Sequence, residues 1–192
     1  MLKTVFSLFF FGLASFSFGQ QESSLVILFT GNTAGKLKQD YNGWGGMAKR
    51  VTVIDQLRNQ EKSSKLYLLD VGDFLAPDYL ALKTEGRLPV LLLSELNYNF
   101  VTLGNHEFDY GLDILNQRIR ELEDRGIIPI SSNIFRSKDK PFVHPFYLES
   151  VLVGQQKRNI LFLGIVDPQK IRKLIKEQLI FLSPEAALKK YL

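Results

Sequence analysis

The sequence predicts an α/β fold with parallel strands, on the strength of three observations. Apolar runs of strand length alternate with segments of helical periodicity. The first three strands each run into a polar loop that carries glycine. Hydrophobic residues make up 45% and charged residues 23%, the balance of a globular chain. Strand-helix alternation implies parallel pairing with both faces of the sheet covered. The 192 residues are enough for one ordinary domain of this class and too few for two large ones.

Residues 1–19 stand apart from that pattern. Lys3 is followed by an apolar, phenylalanine-rich run to Phe16, and then by Ser17-Phe18-Gly19. One positive charge, a short apolar core and small residues at the −3 and −1 positions make a secretory signal peptide. Cleavage after Gly19 leaves Gln20 first, so the expected organisation is a signal at 1–19 and one domain over 20–192. The apolar stretch holds Gly and several Ser/Thr and makes a poor membrane span, so no integral membrane segment is expected after cleavage. The destination is the periplasm or the extracellular space. With no cysteine in the chain, lipid attachment at cysteine and disulfides play no part.

Loss of Lys3 takes the formal charge from +4 to +3. Much of the excess sits late, at Lys157, Arg158, Lys170, Arg172, Lys173, Lys176, Lys189 and Lys190. Most of these recur at helical spacing beside Glu177 and Glu185, as on a solvated helix face. No basic stripe interleaved with aromatics accompanies them, so nucleic acid is not an expected partner. A mild preference for anionic ligands is what the charge allows.

Leu25-Val26-Ile27-Leu28-Phe29 reads as a near-continuous buried strand. Met47, Val51, Ile54 and Leu57 mark one face of a helix, and Leu66 to Val71 is the second strand. Pro89 opens the next helix at its first position, with Leu92 and Leu96 on one side. Phe100 to Leu103 is the third strand. Leu112, Leu115, Ile119 and Leu122 form a helix that stops at Gly126. Ile127 to Ile130 is a fourth strand, and Pro129 suits an edge.

Segments at about 142–153 and 158–166 read as a hairpin around Gly154-Gln155-Gln156-Lys157. Asp167-Pro168 caps a helix through about Gln178, and Ser183-Pro184-Glu185 begins another. In an α/β fold such a helix leads to another strand, so the pattern ending at Leu192 reads as interrupted and the domain as incomplete.

In open parallel sheets, ligands gather beyond the carboxyl ends of the strands. Three such ends carry Thr30-Gly31-Asn32-Thr33-Ala34-Gly35, Gly72-Asp73-Phe74 and Gly104-Asn105-His106-Glu107. Asp73 can bridge two cations, Asn105 offers a neutral carbonyl oxygen, and His106 can coordinate or protonate a leaving group. Each triplet alone also reads as ordinary turn chemistry. Gly31 to Leu37 departs from a phosphate-binding P-loop in spacing and lacks its Ser or Thr. His144, beside Pro145, reads as structural.

Taken in order, these loops resemble the calcineurin-like metallophosphoesterases, in the branch of secreted 5′-nucleotidases and related sugar-nucleotide hydrolases. The matching pieces are Thr30 to Gly35, Gly45-Gly46 before a helix with Arg50, Asp70-Val71-Gly72-Asp73-Phe74, and Leu103-Gly104-Asn105-His106-Glu107-Phe108-Asp109. Ser131-Ser132-Asn133-Ile134, Leu163 to Val166 and Ser183 to Ala187 follow. The resemblance implies a β-sandwich flanked by helices (αββα), of which this chain is the N-terminal half. It also implies divalent metal cofactors such as manganese or zinc, and a nucleotide or other phosphoester as substrate.

By the same resemblance Asp73 bridges the metals and Asn105 is a ligand of the second one. His106 faces the phosphate, held by Asp109 or a neighbouring carboxylate, and Asn133 supports the site. The family's first motif, Asp-x-His, reads Asn32 and Ala34 here. Asn32 keeps an oxygen without the charge, and Ala34 offers nothing. The family's later histidine ligands have no counterpart, since only His106 and His144 are present. The expectation is a metal-dependent phosphoesterase-like domain with a degenerate first metal motif, holding one metal or none and inactive alone. A second chain supplying the rest of the site is the partner this leaves open. The alternatives are a non-catalytic envelope protein that binds a phosphorylated ligand or partner, and a non-functional fragment.

Overall fold

The structure, a computed structural model, describes residues 25–61, 65–153 and 156–192. The expected signal peptide and the tip of the expected hairpin turn, Gly154-Gln155, lie outside the described residues. Strand β1 (Leu25–Thr30) leads through a long loop to α1 (Met47–Gln60), and β2 (Lys65–Asp70) leads to α2 (Tyr79–Lys83) and α3 (Arg87–Glu95). Next come β3 (Phe100–Thr102), a 3-10 turn at His106–Phe108, α4 (Gly111–Asp124) and β4 (Ile128–Ile130). The remainder holds β5 (Ile134–Ser137), β6 (Lys140–Pro141), β7 (Tyr147–Val153), β8 (Gln156–Phe162), α5 (Lys173–Lys176), β9 (Ile180–Phe181) and α6 (Pro184–Tyr191).

The first four strands form one parallel sheet in the order β1-β2-β3-β4. Leu25 pairs with Lys65 and Thr30 with Asp70, so β1 and β2 end level with each other. Thr102 pairs with Ile130 at the ends of β3 and β4. β4 is an outer strand of this sheet, where the missing N–H of Pro129 does least harm. Strands β6, β5 and β9 make a small antiparallel sheet, and β7 and β8 pair as the expected hairpin, shifted to 147–162. The chain is thus α/β with a parallel sheet, layered against helices and a second strand pair.

Alternation along β2 splits the core between the two faces. Leu66 and Leu68 belong to the larger cluster, with Val90, Leu93, Leu115, Ile119 and Leu122 of α3 and α4. Tyr67 and Leu69 point the other way and pack with Phe100, Ile130, Val151 and the hairpin aromatics. There the Phe100 ring lies 4.8 Å from both Tyr147 and Phe162, and Tyr67 lies 5.6 Å from Phe162. Such offset contacts contribute about 0.5–1.5 kcal/mol each beyond area burial. They fasten the hairpin to the sheet.

Three expectations are corrected. β1 is not buried throughout: it is an edge strand, and Ile27 and Phe29 are 40% and 71% exposed. The hairpin side of the sheet reaches Leu25 and leaves those two uncovered. Pro89 is not the first residue of its helix, since α3 begins at Arg87 after Gly86 in a left-handed conformation. Pro89 still sits in the first turn, where N–H groups lack intrahelical partners.

The helix expected from Asp167 to Gln178 is broken. Asp167 does cap a turn, its Oδ1 accepting from Gln169 N at 2.9 Å. Ile171 and Arg172 then run extended, and only Lys173–Lys176 is α-helical. Ile171 and Ile175 both lie in the core. Ser183 caps α6 as expected, accepting from Ala186 N at 3.2 Å. Strands β5, β6 and β9 went unforeseen, because two to four residues are too few to show a period.

The C-terminal ends of β1 and β2 are locked by a buried polar group. Thr30 Oγ1 donates to Asp70 Oδ2 at 2.7 Å and lies 2.8 Å from the Tyr98 hydroxyl, while Gly72 N donates to Asp70 Oδ1 at 3.0 Å. Burial raises the Asp70 carboxyl from 3.8 to about 6, against the pull of its hydrogen bonds and of Arg50. A carboxyl held higher in the folded than in the unfolded state stabilises at low pH, and that stability is lost as pH rises through about 6. The difference is about 3 kcal/mol at neutral pH. Asp70→Asn keeps the shape and one acceptor, so its melting temperature should fall less between pH 4 and 7 than that of the parent, the remaining fall belonging to buried Glu107. Parallel melting curves across that range for both proteins check it.

Candidate phosphoester site at the carboxyl edge of the sheet

The three polar loops meet at the edge where β1, β2 and β3 end. Val71 N donates to Thr30 O at 2.7 Å, Asn32 N to Gly72 O at 3.0 Å, and Ala34 N to Asp73 O at 3.0 Å. The backbone of the first loop is therefore stitched to that of the second. Asn32, Ala34 and Asp73 all adopt left-handed φ, at 49°, 49° and 61°. Non-glycine residues pay for that conformation, and such strain clusters at functional sites.

Glu107 holds the second and third loops together. Its carboxylate is fully buried and accepts three backbone N–H groups: Asp73 at 2.8 Å, Leu75 at 3.0 Å and Gly104 at 2.6 Å. Burial pushes this carboxyl up to about 7, with the three donors pulling it back down. Asp73 Oδ1 in turn accepts from His106 N at 3.0 Å. The close approach leaves no space for a side chain at Gly104, where a Cβ would lie 2.3 Å from Asp73 Oδ1. A Cβ on Gly72 would lie 2.7 Å from Gly104 N, on a backbone already at φ +103°.

His106 opens the 3-10 turn, and Asp109 follows it directly. This i, i+3 spacing sets His106 Nδ1 2.7 Å from Asp109 Oδ2. The hydrogen bond to Asp109 raises the imidazole above its ordinary 6.5, while partial burial works against it. Asp109 Oδ1 pairs with Arg172 Nη2 at 2.9 Å. A histidine whose Nδ1 is held by a carboxylate presents Nε2 outward as a donor or acceptor.

Asp73, Asn105, His106 and Asp109 are thus brought together, and Asn32 joins them through its loop backbone. Asn133 is not part of that group. It is fully buried, and its amide is spent on backbone: Nδ2 donates to Val166 O at 2.8 Å and Leu182 O at 3.1 Å, and Oδ1 accepts from Val166 N at 3.1 Å. It fastens the strand ends that lead into the Asp167–Arg172 segment. His144 lies elsewhere, bridged to Ile130 and 3.7 Å from Glu123.

Sequence reasoning missed the part played by Glu107 and Arg172. Glu107 carries a local signal, a carboxylate flanked by apolar Phe108 within a loop of backbone donors. Arg172 carries none, because its distance along the chain hides the pairing.

Toward a metal, the described residues offer the Asp73 carboxylate and the carboxamides of Asn105 and Asn32, with Ala34 contributing no donor. Among the described residues, no group of three or more His, Cys, Asp or Glu side chains could hold an ion. This donor set does not fit a complete metal centre by itself. A cleft of about 620 Å³ beside the first loop carries Lys36, Lys38 and Arg50 together with Asp40 and Asp78 among its walls, a small excess of cations.

Comparison with known proteins gives this strand-edge site its context. No family model matches the sequence. The 2′,3′-cyclic-nucleotide 2′-phosphodiesterase/3′-nucleotidase of Haemophilus influenzae is 32% identical over 139 residues, covering 65% of this chain and 20% of that protein. A snake venom 5′-nucleotidase of Naja atra is 30% identical over 159 residues, 71% of this chain and 27% of that protein. The calcineurin-like phosphoesterase YfkN of Bacillus subtilis superposes with a TM-score of 0.70 at 22% identity, over 88% of this chain and 57% of that one. A 5′-nucleotidase precursor of Thermus thermophilus superposes at 0.66 and 24% identity, over 86% of this chain and 33% of that one. The chain matches the N-terminal part of 5′-nucleotidase-type phosphoesterases and shares the fold of the calcineurin-like phosphoesterases. It spans about a fifth to a quarter of the length of these curated relatives.

Gly104→Ala tests the geometry of the site. The added methyl collides with Asp73 Oδ1, at a cost of about 1–3 kcal/mol, so the melting temperature should fall by several degrees. An unchanged melt would mean that the two loops are not packed this closely.

Proposed function

We propose that this chain is the phosphate-facing part of a phosphoester hydrolase acting on a nucleotide or a related phosphoester. The observation that carries the reading is the His106–Asp109 pair, 2.7 Å apart, set beside Asp73 on the shared loop edge. Protonated His106 donates from Nε2 to a phosphoryl or leaving-group oxygen, and Asp109 stabilises the imidazolium that this requires. Asp73 places negative charge at the loop junction through its strained backbone, and Glu107 keeps that junction rigid. The adjoining cleft holds Lys36, Lys38 and Arg50 against Asp40 and Asp78, a small excess of positive charge toward an anionic substrate. Nucleotides are the substrates named for the relatives above, and they come to this chain by that route.

Divalent metal, manganese or zinc, belongs to the same proposal. Asp73, Asn105 and Asn32 are the residues that would hold it, and further ligands from outside this set would be required to complete a centre. Export is proposed from residues 1–19. Among the described residues, no helix is long and apolar enough to cross a membrane.

A second reading is favoured by Ala34 and the incomplete donor set. In it the same loops bind a phosphorylated ligand without turning it over. Phosphate release from nucleoside 5′-monophosphates, followed with the full chain in added manganese or zinc, separates the two. Turnover that His106→Ala lowers by about 10²–10⁴-fold supports hydrolysis. Calorimetric binding of the nucleotide with no turnover at any metal concentration would overturn it in favour of binding.

A further inference from the structure

We infer that Arg172 is a positioning residue for His106: by holding one oxygen of Asp109, it fixes the carboxylate that decides which imidazole nitrogen faces the site. Asp109 is the hub of this relay. Its Oδ2 lies 2.7 Å from His106 Nδ1 and its Oδ1 lies 2.9 Å from Arg172 Nη2. The Asp109 side chain is 11% exposed, whereas that of His106 is 44% exposed. Packing therefore leaves the imidazole free on one side, and among the described residues Asp109 is the polar group that orients it. A carboxylate with a partner on only one oxygen can turn about its terminal torsion. With a partner on each oxygen it cannot turn without losing both.

The segment carrying Arg172 is held for this purpose. Ile171 and Ile175 on either side are both 4% exposed and belong to the main core. The Arg172 carbonyl accepts from Ile175 N at 3.0 Å and Lys176 N at 3.2 Å. The extended backbone at Arg172, φ −59° and ψ 143°, interrupts the helix that local sequence favours and leaves the guanidinium at Asp109. As an ion pair the contact adds little stability, since Arg172 is 67% exposed and exposed pairs contribute about 0–1 kcal/mol. Its value lies in geometry. Partners one step removed from an acting side chain set the tautomer and orientation of a histidine.

The inference takes its catalytic meaning from the phosphoester reading, but the placement of the ring does not depend on it. Long-range ¹H–¹⁵N imidazole spectra of the full chain, with ¹⁵N-labelled histidine at alkaline pH, report the tautomer of His106 directly. The parent should show the Nδ1–H tautomer predominating. Arg172→Ala should raise the share of the Nε2–H tautomer several-fold, Arg172→Gln should do the same, and Arg172→Lys should restore the parent spectrum. His144 is the internal control. A parent-like His106 spectrum in folded Arg172→Ala or Arg172→Gln would overturn the inference, even if the melting temperature moved. Where hydrolysis is measurable, Arg172→Ala should lower kcat about tenfold and leave KM unchanged. A tautomer response without any hydrolysis would sustain the positioning role while removing the hydrolase reading.

Discussion

The buried carboxylate of Glu107 is the constraint on which the site depends. Three backbone N–H groups from two loops converge on it, and none of them belongs to a helix or a strand. Without that acceptor the buried N–H of Leu75 would be left unsatisfied, at about 1–3 kcal/mol, and the partly buried N–H groups of Asp73 and Gly104 would lose their partner. With it, the loops after β2 and β3 become one rigid body. Asp73 can then hold a left-handed backbone, and His106 can take its place one turn further on. The charge that organises the site is thus inside it, while the groups that meet solvent are carried on top.

The same arrangement explains two glycines. Gly72 and Gly104 are needed because the loops touch there, through the backbone at Gly72 and against the Asp73 carboxylate at Gly104, at distances that a Cβ would violate. Their freedom serves close approach as much as turning. The first loop is attached by backbone bonds to Gly72 and Asp73, and there Asn32 and Ala34 stand in place of the Asp-x-His that the resemblance implies.

The relay through Asp109 extends the site into the later part of the chain. Arg172 reaches it from a segment anchored by Ile171 and Ile175, itself beyond the backbone that Asn133 fastens at Val166 and Leu182. Asn133 therefore acts on the site from a distance, through the path of the chain. The hairpin β7–β8 plays a comparable part on the opposite face, where its aromatics hold β2 and β3 level and keep the loop ends in register.

Much of this was legible in the sequence, where the information is local. Helical periodicity placed α1 and α4, and continuous apolar runs placed β1 to β4. The strand-end rule located the three loops, and the Gly104–Asp109 string disclosed the family. What sequence left open was decided by contacts between distant segments. Whether β1 is buried depends on what lies against Ile27 and Phe29. Residues 171 and 172 run extended where local sequence favours helix. The roles of Glu107, Asn133 and Arg172 depend on partners that no spacing reveals. Sequence by itself determined the order of elements and the residue types at the strand ends, since these follow from local periodicity and turn chemistry. Only the tertiary structure decided which carboxylate is buried, which is exposed and what each holds, because burial and pairing are properties of the packed chain.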